Sequence, residues 1–372
     1  MLMTPPLIPL PQPVTAVVAL EPVYNILMSM AALYGSENYS GLDDWVLETA
    51  NRMRPALRAQ HELLFPWLWL DALTNAVARG PAMESFPAYL AALAAQPATT
   101  LRDTLLHWLI HSPHGWVSYE FRNITPPNPA DLLADYHVFT AFFEERLRVK
   151  VDEIDQQGAQ QIHLLFTQPG QLQNTLVTHL QQLWDEHVAV EWERVQPKLQ
   201  ATVDAFQSVR LEGLSILEAM QLVTGRDLRP AFRLDALLAY RRVRFIPHIH
   251  NGPYILWFGD DEELRIGFAA HQPPQIANSG ITFDLDTLTN RYQALADETR
   301  LAILLTLRNA KELSTQDLID QFSLDKSAAS RHLRQLVANS LIEERRVDGA
   351  KKVYRINKKA VHEVIEFLNS LG

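Results

Sequence analysis

The run Lys326-Ser-Ala-Ala-Ser-Arg-His-Leu-Arg-Gln-Leu336 constrains this chain more than any other stretch. Ser327, Ser330, Arg331 and Arg334 fall at i, i+3, i+4 and i+7, which gathers them into one polar, cationic stripe on a helix. Ala329, Leu333, Leu336 and Val337 form the opposite, apolar stripe. Asp325 is placed to cap the helix, and Leu324 to pack back as a staple. A short helix that buries one face and offers arginine and serine on the other suits the major groove of duplex DNA.

The flanking sequence builds a domain around that helix. Upstream, Tyr292-Gln-Ala-Leu295 and Arg300-Leu-Ala-Ile-Leu-Leu305 read as two amphipathic helices, with Asp297 as the N-cap between them. Ser314 to Phe322 reads as a third, short helix. Downstream, Leu341–Val347 and Lys351–Ile356 read as strands joined at Asp348-Gly349, a tight hairpin signal. Three helices, a further helix presenting the cationic stripe, and a basic hairpin predict a winged helix-turn-helix.

Residues 285–371 resemble the ArsR-type winged-helix transcriptional regulators. The motifs that carry the resemblance are Ala296-Asp297-Glu298-Thr299-Arg300-Leu301, Glu312-Leu313 through Asp317-Leu318, Ser330-Arg331-His332-Leu333 with Leu336, and Arg345-Arg346 with Gly349 and Tyr354-Arg355. The resemblance implies that Ser327, Ser330, Arg331, His332 and Arg334 enter the major groove of a double-stranded operator. Lys326 would meet phosphate near the helix start, and Arg345, Arg346, Lys351 and Lys352 would serve the wing. It also implies a homodimer formed through the first and last helices of this domain. Val361, Val364, Ile365, Leu368 and Leu371 give the last helix an apolar face of the right period. Packing of that face on its own chain is the alternative.

Charge agrees with a DNA partner. The 372-residue chain is acidic, with 33 Lys+Arg against 43 Asp+Glu, yet residues 326–359 carry ten basic residues against three acidic, a local net of +7. There is no cysteine. ArsR-type sensors commonly bind soft metals or arsenicals through a Cys-x-Cys pair, and Ser314 and Gln316 stand at those positions, so thiolate sensing and a disulfide switch are both excluded. A second family mode needs an Asp-x-His pair on the last helix, which has only His362, Glu363 and Glu366. No apolar run approaches the ~18–20 residues that cross a bilayer. The first basic residue is Arg52, unlike a secretory signal, so a cytoplasmic protein with no membrane partner is expected.

The signal must then enter through the first 280 residues, which hold all eight tryptophans. Val14–Leu20 reads as a strand and Glu21–Tyr34 as a helix with Pro22 in its first turn and Gly35 as its stop. Leu172, Leu176, Leu180, Leu183, Trp184, Val188, Trp192, Val195 and Leu199 mark a long helix that Pro197 should kink or end. Further helices are expected at Leu214–Leu222 and Ala231–Tyr240, and strands at 243–246, 254–258 and 264–268. The segment resembles the N-terminal region of some long ArsR-type regulators, a likeness that carries no activity with it.

Little chemistry is legible there. His107, His111 and His114 sit near one helix face without a carboxylate at ligand spacing, and a core or rim role is the simpler reading. His248 and His250 alternate on an extended segment and face one side, as a strand end at the surface or as pocket lining. Asp185, Glu186, Glu191 and Glu193 read as a solvated helix face, and Asp260–Glu263 as a charged hairpin tip. The tryptophans suit packing, a ligand cavity or a partner surface. No phosphate loop, nucleophile elbow or His-Glu-x-x-His is present, so no catalytic residue, metal site or cofactor is expected.

The sequence therefore predicts a mainly α (α+β) chain: an extended arm at 1–13, an α-rich domain with a small sheet at 14–270, a linker at 271–281 and a winged helix-turn-helix at 282–372. It reads as a DNA-binding transcriptional regulator, a homodimeric repressor whose N-terminal domain senses a non-thiolate signal. The alternatives are a protein-docking or oligomerisation module in that position and, more remotely, an enzyme fused to a regulator.

Overall fold

The computed structural model describes residues 13–39, 41–68, 70–111, 125–147, 156–226, 240–260, 262–273, 285–310, 312–347 and 351–369. The first helix, α1 (Pro22–Leu33), is the axis of the N-terminal part. Every residue from Val23 to Leu33 is buried, because the segment is apolar on all sides and can only be covered by other helices. Pro22 sits in its first turn, and the chain leaves through Gly35 at a φ of +59°. After it come α2 (Asp44–Arg52), α3 (Pro55–Leu64), α4 (Leu70–Asn75), α5 (Phe86–Ala95), α6 (Ala98–His111), α7 (Pro129–Ala134), α8 (Tyr136–Leu147), α9 (Gln156–Thr167), α10 (Pro169–Leu183), α11 (Ala189–Phe206) and α12 (Ile216–Thr224), of which α2, α4 and α5 pack against it.

The sheet closes one end of this bundle. The early strand β1 (Thr15–Val18) pairs parallel with β2 (Arg242–His248), bringing Thr15 opposite Arg242 and Val18 opposite Phe245. β2 runs parallel to β4 (Glu263–Ala269), and β3 (Leu256–Gly259) lies antiparallel to β4, giving the order β1-β2-β4-β3. A second core forms where Phe206, Ile216 and Met220 meet Val243, Phe245, Leu264, Ile266 and Phe268. At the hairpin tip Glu262 is exposed as expected, but Asp260 and Glu263 are not solvated. β4 starts beside β2, so Glu263 is buried against the guanidinium groups of Arg244 and Arg265, and Asp260 pairs with Arg79.

The long helix departs from expectation at two points. Between α10 and α11 the backbone takes one extra residue per turn, as a π-helical turn at Trp184–Val188. Pro197 does not end it, and α11 continues to Phe206. Pro197 and Glu193, whose carbonyl loses its helical partner, both lie on the exposed side, so water can satisfy the freed group.

The C-terminal part is a winged helix-turn-helix. Helices at Leu285–Leu295, Glu298–Ala310, Thr315–Phe322 and Lys326–Ala338 precede the hairpin of β6 (Ile342–Val347) and β7 (Lys351–Ile356), and Lys358–Asn369 forms the last helix. A two-residue strand, β5 (Leu313–Ser314), adds to the hairpin in the order β5-β7-β6. Asp297 caps the second helix, Ser314 and Asp317 form a capping box on the third, and Asp325 accepts from the Ala328 amide on the fourth. Ala294, Ile303, Leu307, Leu318, Leu333, Leu336, Leu341 and Tyr354 share its core, each large aliphatic side chain contributing about 2 kcal/mol. Among the described residues no buried apolar cluster draws on both parts of the chain. No described helix is long and apolar enough to cross a membrane. The arm to residue 12, the expected helix at 231–239 and linker residues 274–281 lie outside the described residues.

Candidate nucleic-acid interface and the site behind it

On the fourth helix of the C-terminal domain, Leu333 and Leu336 are buried while Lys326 and Ser327 are exposed and Ser330 and Arg331 half-exposed. His332 does not join the outward stripe. One residue past Arg331, its side chain turns toward the start of the second helix, where Nδ1 lies 3.6 Å from Asp297. Burial lowers its pKa, with Asp297 acting against that. His332, which the resemblance sends into the groove, thus has one ring nitrogen facing Asp297 of its own domain.

The wing cations carry partners on their own domain. Arg345 pairs with Glu312 at 2.7 Å, Lys352 with Glu344 at 2.9 Å and Arg355 with Glu343 at 2.6 Å. β6 and β7 set Arg346 opposite Lys352 and Val347 opposite Lys351, while the side chains of Arg346 and Lys351 lie outside the described residues. On the last helix Val364 is buried and Val361 packs against the domain core, so that two of the four described residues of the expected dimer face are covered by their own chain. Ile365 and Leu368 remain 48% and 53% exposed. Leu371 lies outside the described residues.

The sequence profile of the helix-turn-helix domain matches residues 295–345. The arsenical resistance operon repressor of Staphylococcus aureus is 34% identical over 85 residues, which are 23% of this chain and 80% of the relative. The chain belongs to the ArsR-type regulators. The arsenical resistance operon repressor of Staphylococcus xylosus is 33% identical over 82 residues, covering 22% of this chain and 73% of its own. This ArsR-type protein is accordingly a DNA-binding transcriptional regulator, with an N-terminal part that these alignments do not reach.

That part holds a buried polar constellation. His250 is 3% exposed and Glu191 5%. His250 Nε2 donates to Glu191 Oε1 at 2.7 Å, and its Nδ1 lies 2.7 Å from Ser29 Oγ, which donates to the Asn25 carbonyl at 2.8 Å. Arg194 completes the chain with a bidentate contact to Glu191. Burial pushes the Glu191 carboxyl up, but the hydrogen bonds from His250 and Arg194 outweigh it and hold Glu191 below the ordinary carboxylate range. His248 is buried as well, with Nε2 2.9 Å from the Tyr254 carbonyl and a pKa lowered by burial to about 4. The surface reading of His248 and His250 and the solvated reading of Glu191 are both corrected. The π turn explains Glu191: with one extra residue absorbed, it falls on the inward stripe between Val188 and Val195. That position, i+3 from one buried valine and i−4 from the next, was the available signal.

Asp43, Glu191 and His250 bring one donor atom each within 4.8 Å of one another, a set that suits a divalent cation. Arg194 already neutralises Glu191, so such a cation would have to displace a guanidinium. Ser29, His250 and Glu191 share the order of a nucleophile relay, but Ser29 lies inside α1 with its hydroxyl on the preceding turn. His107 and His111, rings 4.7 Å apart, are exposed, and His114 lies outside the described residues.

Two loops beside this constellation reach the C-terminal domain. One precedes α2 and the other joins β2 to β3. They interlock where Gly252, at a φ of +55°, lies against the Gly41 carbonyl, and the Asp43 amide donates to the His250 carbonyl at 3.3 Å. From the first loop, the ring of Tyr39 takes the Arg334 guanidinium at 5.0 Å from its centroid. From the second, the Tyr254 hydroxyl donates to Gln335 Oε1 at 3.0 Å. Arg226, just past α12, donates to the Pro253 carbonyl at 3.1 Å and to the Val337 carbonyl at 3.0 Å. Burial lowers its pKa to about 10, leaving it a cation at the carbonyl end of the helix. Nothing in the sequence singled out Tyr39, Arg226 or Tyr254.

Proposed function

We propose that this regulator is a homodimeric repressor, not an enzyme, whose N-terminal domain passes a non-thiolate signal to its DNA-reading helix. The observation that carries the DNA-reading part is the capped helix Lys326–Ala338, which offers Lys326, Ser327, Ser330 and Arg331 outward while Leu333 and Leu336 anchor it. Repression follows the staphylococcal relatives, which are arsenical resistance operon repressors. Their arsenicals do not, because this chain has no thiolate to offer and Ser314 is committed to a helix cap. A sensory N-terminal domain is favoured over a mere docking module by its polar contacts with Arg334, Gln335 and Val337.

The test is fluorescence anisotropy with duplexes tiled across the region upstream of the protein's own gene. One tile should bind in preference to mixed-sequence DNA, and Arg331→Ala should weaken that binding by about 1–3 kcal/mol. Unchanged affinity for Arg331→Ala removes that residue from base reading. Equal affinity for all tiles removes the operator.

A further inference from the structure

We infer that the N-terminal domain is itself the competitor of DNA: Tyr39, Arg226 and Tyr254 form a clamp whose partner is the carboxy-terminal half of the reading helix. The inference rests on the DNA-reading role of that helix. Arg334 closes the outward stripe that begins at Ser327, so the Tyr39 ring lies on the side the duplex must approach. A helix of about 10–12 Å diameter fills a major groove about 12 Å wide and leaves no room for an added ring. Gln335, 2% exposed, is gripped from the flank by Tyr254, and Arg226 spans from the Pro253 carbonyl to the Val337 carbonyl.

The character of this contact sets it apart from core packing. Among the described residues it includes a cation on a ring and several hydrogen bonds, and no buried apolar cluster bridges it. Interfaces within a chain that are this polar open readily. Each contact shifts the balance between closed and open forms by a factor of a few, so together they hold the closed form without locking it. Only the open fraction reads DNA, and apparent affinity falls in proportion to it.

The loops also explain how a signal would reach the clamp. Asp43 and Trp45 follow the first loop, and His250 opens the second. The Asp43 amide donates to the His250 carbonyl, and the Trp45 ring packs 4.5 Å from the His250 ring. A ligand that displaces either loop therefore moves both grips.

The absence of native cysteine makes a clean test. In the full-length chain, Tyr254→Cys with Gln335→Cys places thiols across the clamp, to be joined by a short bis-maleimide. Neither residue belongs to the outward stripe. The crosslink should form within one chain, and the crosslinked protein should lose binding to both a mixed-sequence duplex and the preferred upstream tile. Separately, Tyr39→Ala with Tyr254→Phe, which leaves every stripe residue in place, should bind both probes about tenfold tighter than wild type. Failure to crosslink, or full binding by the crosslinked protein, overturns the clamp. So does equal affinity of wild type and the Tyr39→Ala/Tyr254→Phe variant. If no protein, released or not, binds any duplex, the DNA-reading role falls first and the clamp with it.

Discussion

His61 and His179 meet in the helical core with Nδ1 and Nε2 3.0 Å apart, one ring donating to the other. The outer nitrogen of each, His61 Nε2 and His179 Nδ1, is buried as well, and the Met30 backbone acts on His61 against the effect of burial. Burial lowers His61 to about 3, with the neighbouring ring adding to the effect, and lowers His179 to about 4. In the unfolded chain both titrate near 6.5. Between those values the unfolded state binds more protons than the native one. The free energy of unfolding therefore rises with pH across this window and is lost as pH falls through it. His61→Gln with His179→Gln should flatten the loss. Thermal melts of both proteins between about pH 6.5 and about pH 4 check this, and parallel curves would show that the pair does not govern acid lability. Neither histidine stood out in the sequence, since a lone imidazole on an apolar helix face looks the same whether it is inert or poised.

At the scale of elements, the π turn and the paired loops decide what the N-terminal domain presents. The turn at Trp184–Val188 was not legible, because the stripe passes from Trp184 to Val188 in an ordinary step of four. The loops were not legible, because their closeness depends on β2 and β3 delivering one and α1 and α2 the other. Gly252 has no room for a side chain: an added Cβ would strike the Gly41 carbonyl, in a backbone conformation that already disfavours one. Gly252→Ala should cost about 1–3 kcal/mol of stability. It should also pry the loops apart and release the reading helix, raising affinity for the upstream duplex. Melting and anisotropy on the same sample separate the two effects. A destabilised variant with wild-type affinity would mean that the loops do not bear on the helix.

For the whole molecule the open question is assembly. Two of the four described residues of the apolar face of the last helix, Val361 and Val364, are used internally, and Ile365 and Leu368 are left outward. Ile365→Asp with Leu368→Asp should halve the mass measured by light scattering. It should also weaken operator binding by about a hundredfold, as two linked half-site contacts become one. A dimer that survives both changes assembles through another surface.

The amino-acid order alone determined the C-terminal domain. Its caps, stripe, hairpin and charge are set by residues within a few positions of one another, and local spacing suffices to read such features. It also determined that no thiolate chemistry is available. The tertiary structure alone decided that His332 has a ring nitrogen facing Asp297, that His250 and Glu191 are buried partners, and that Tyr39, Arg226 and Tyr254 touch the reading helix. Each of these depends on contacts between residues far apart in the chain, and a side chain's local pattern does not record which distant surface folds over it.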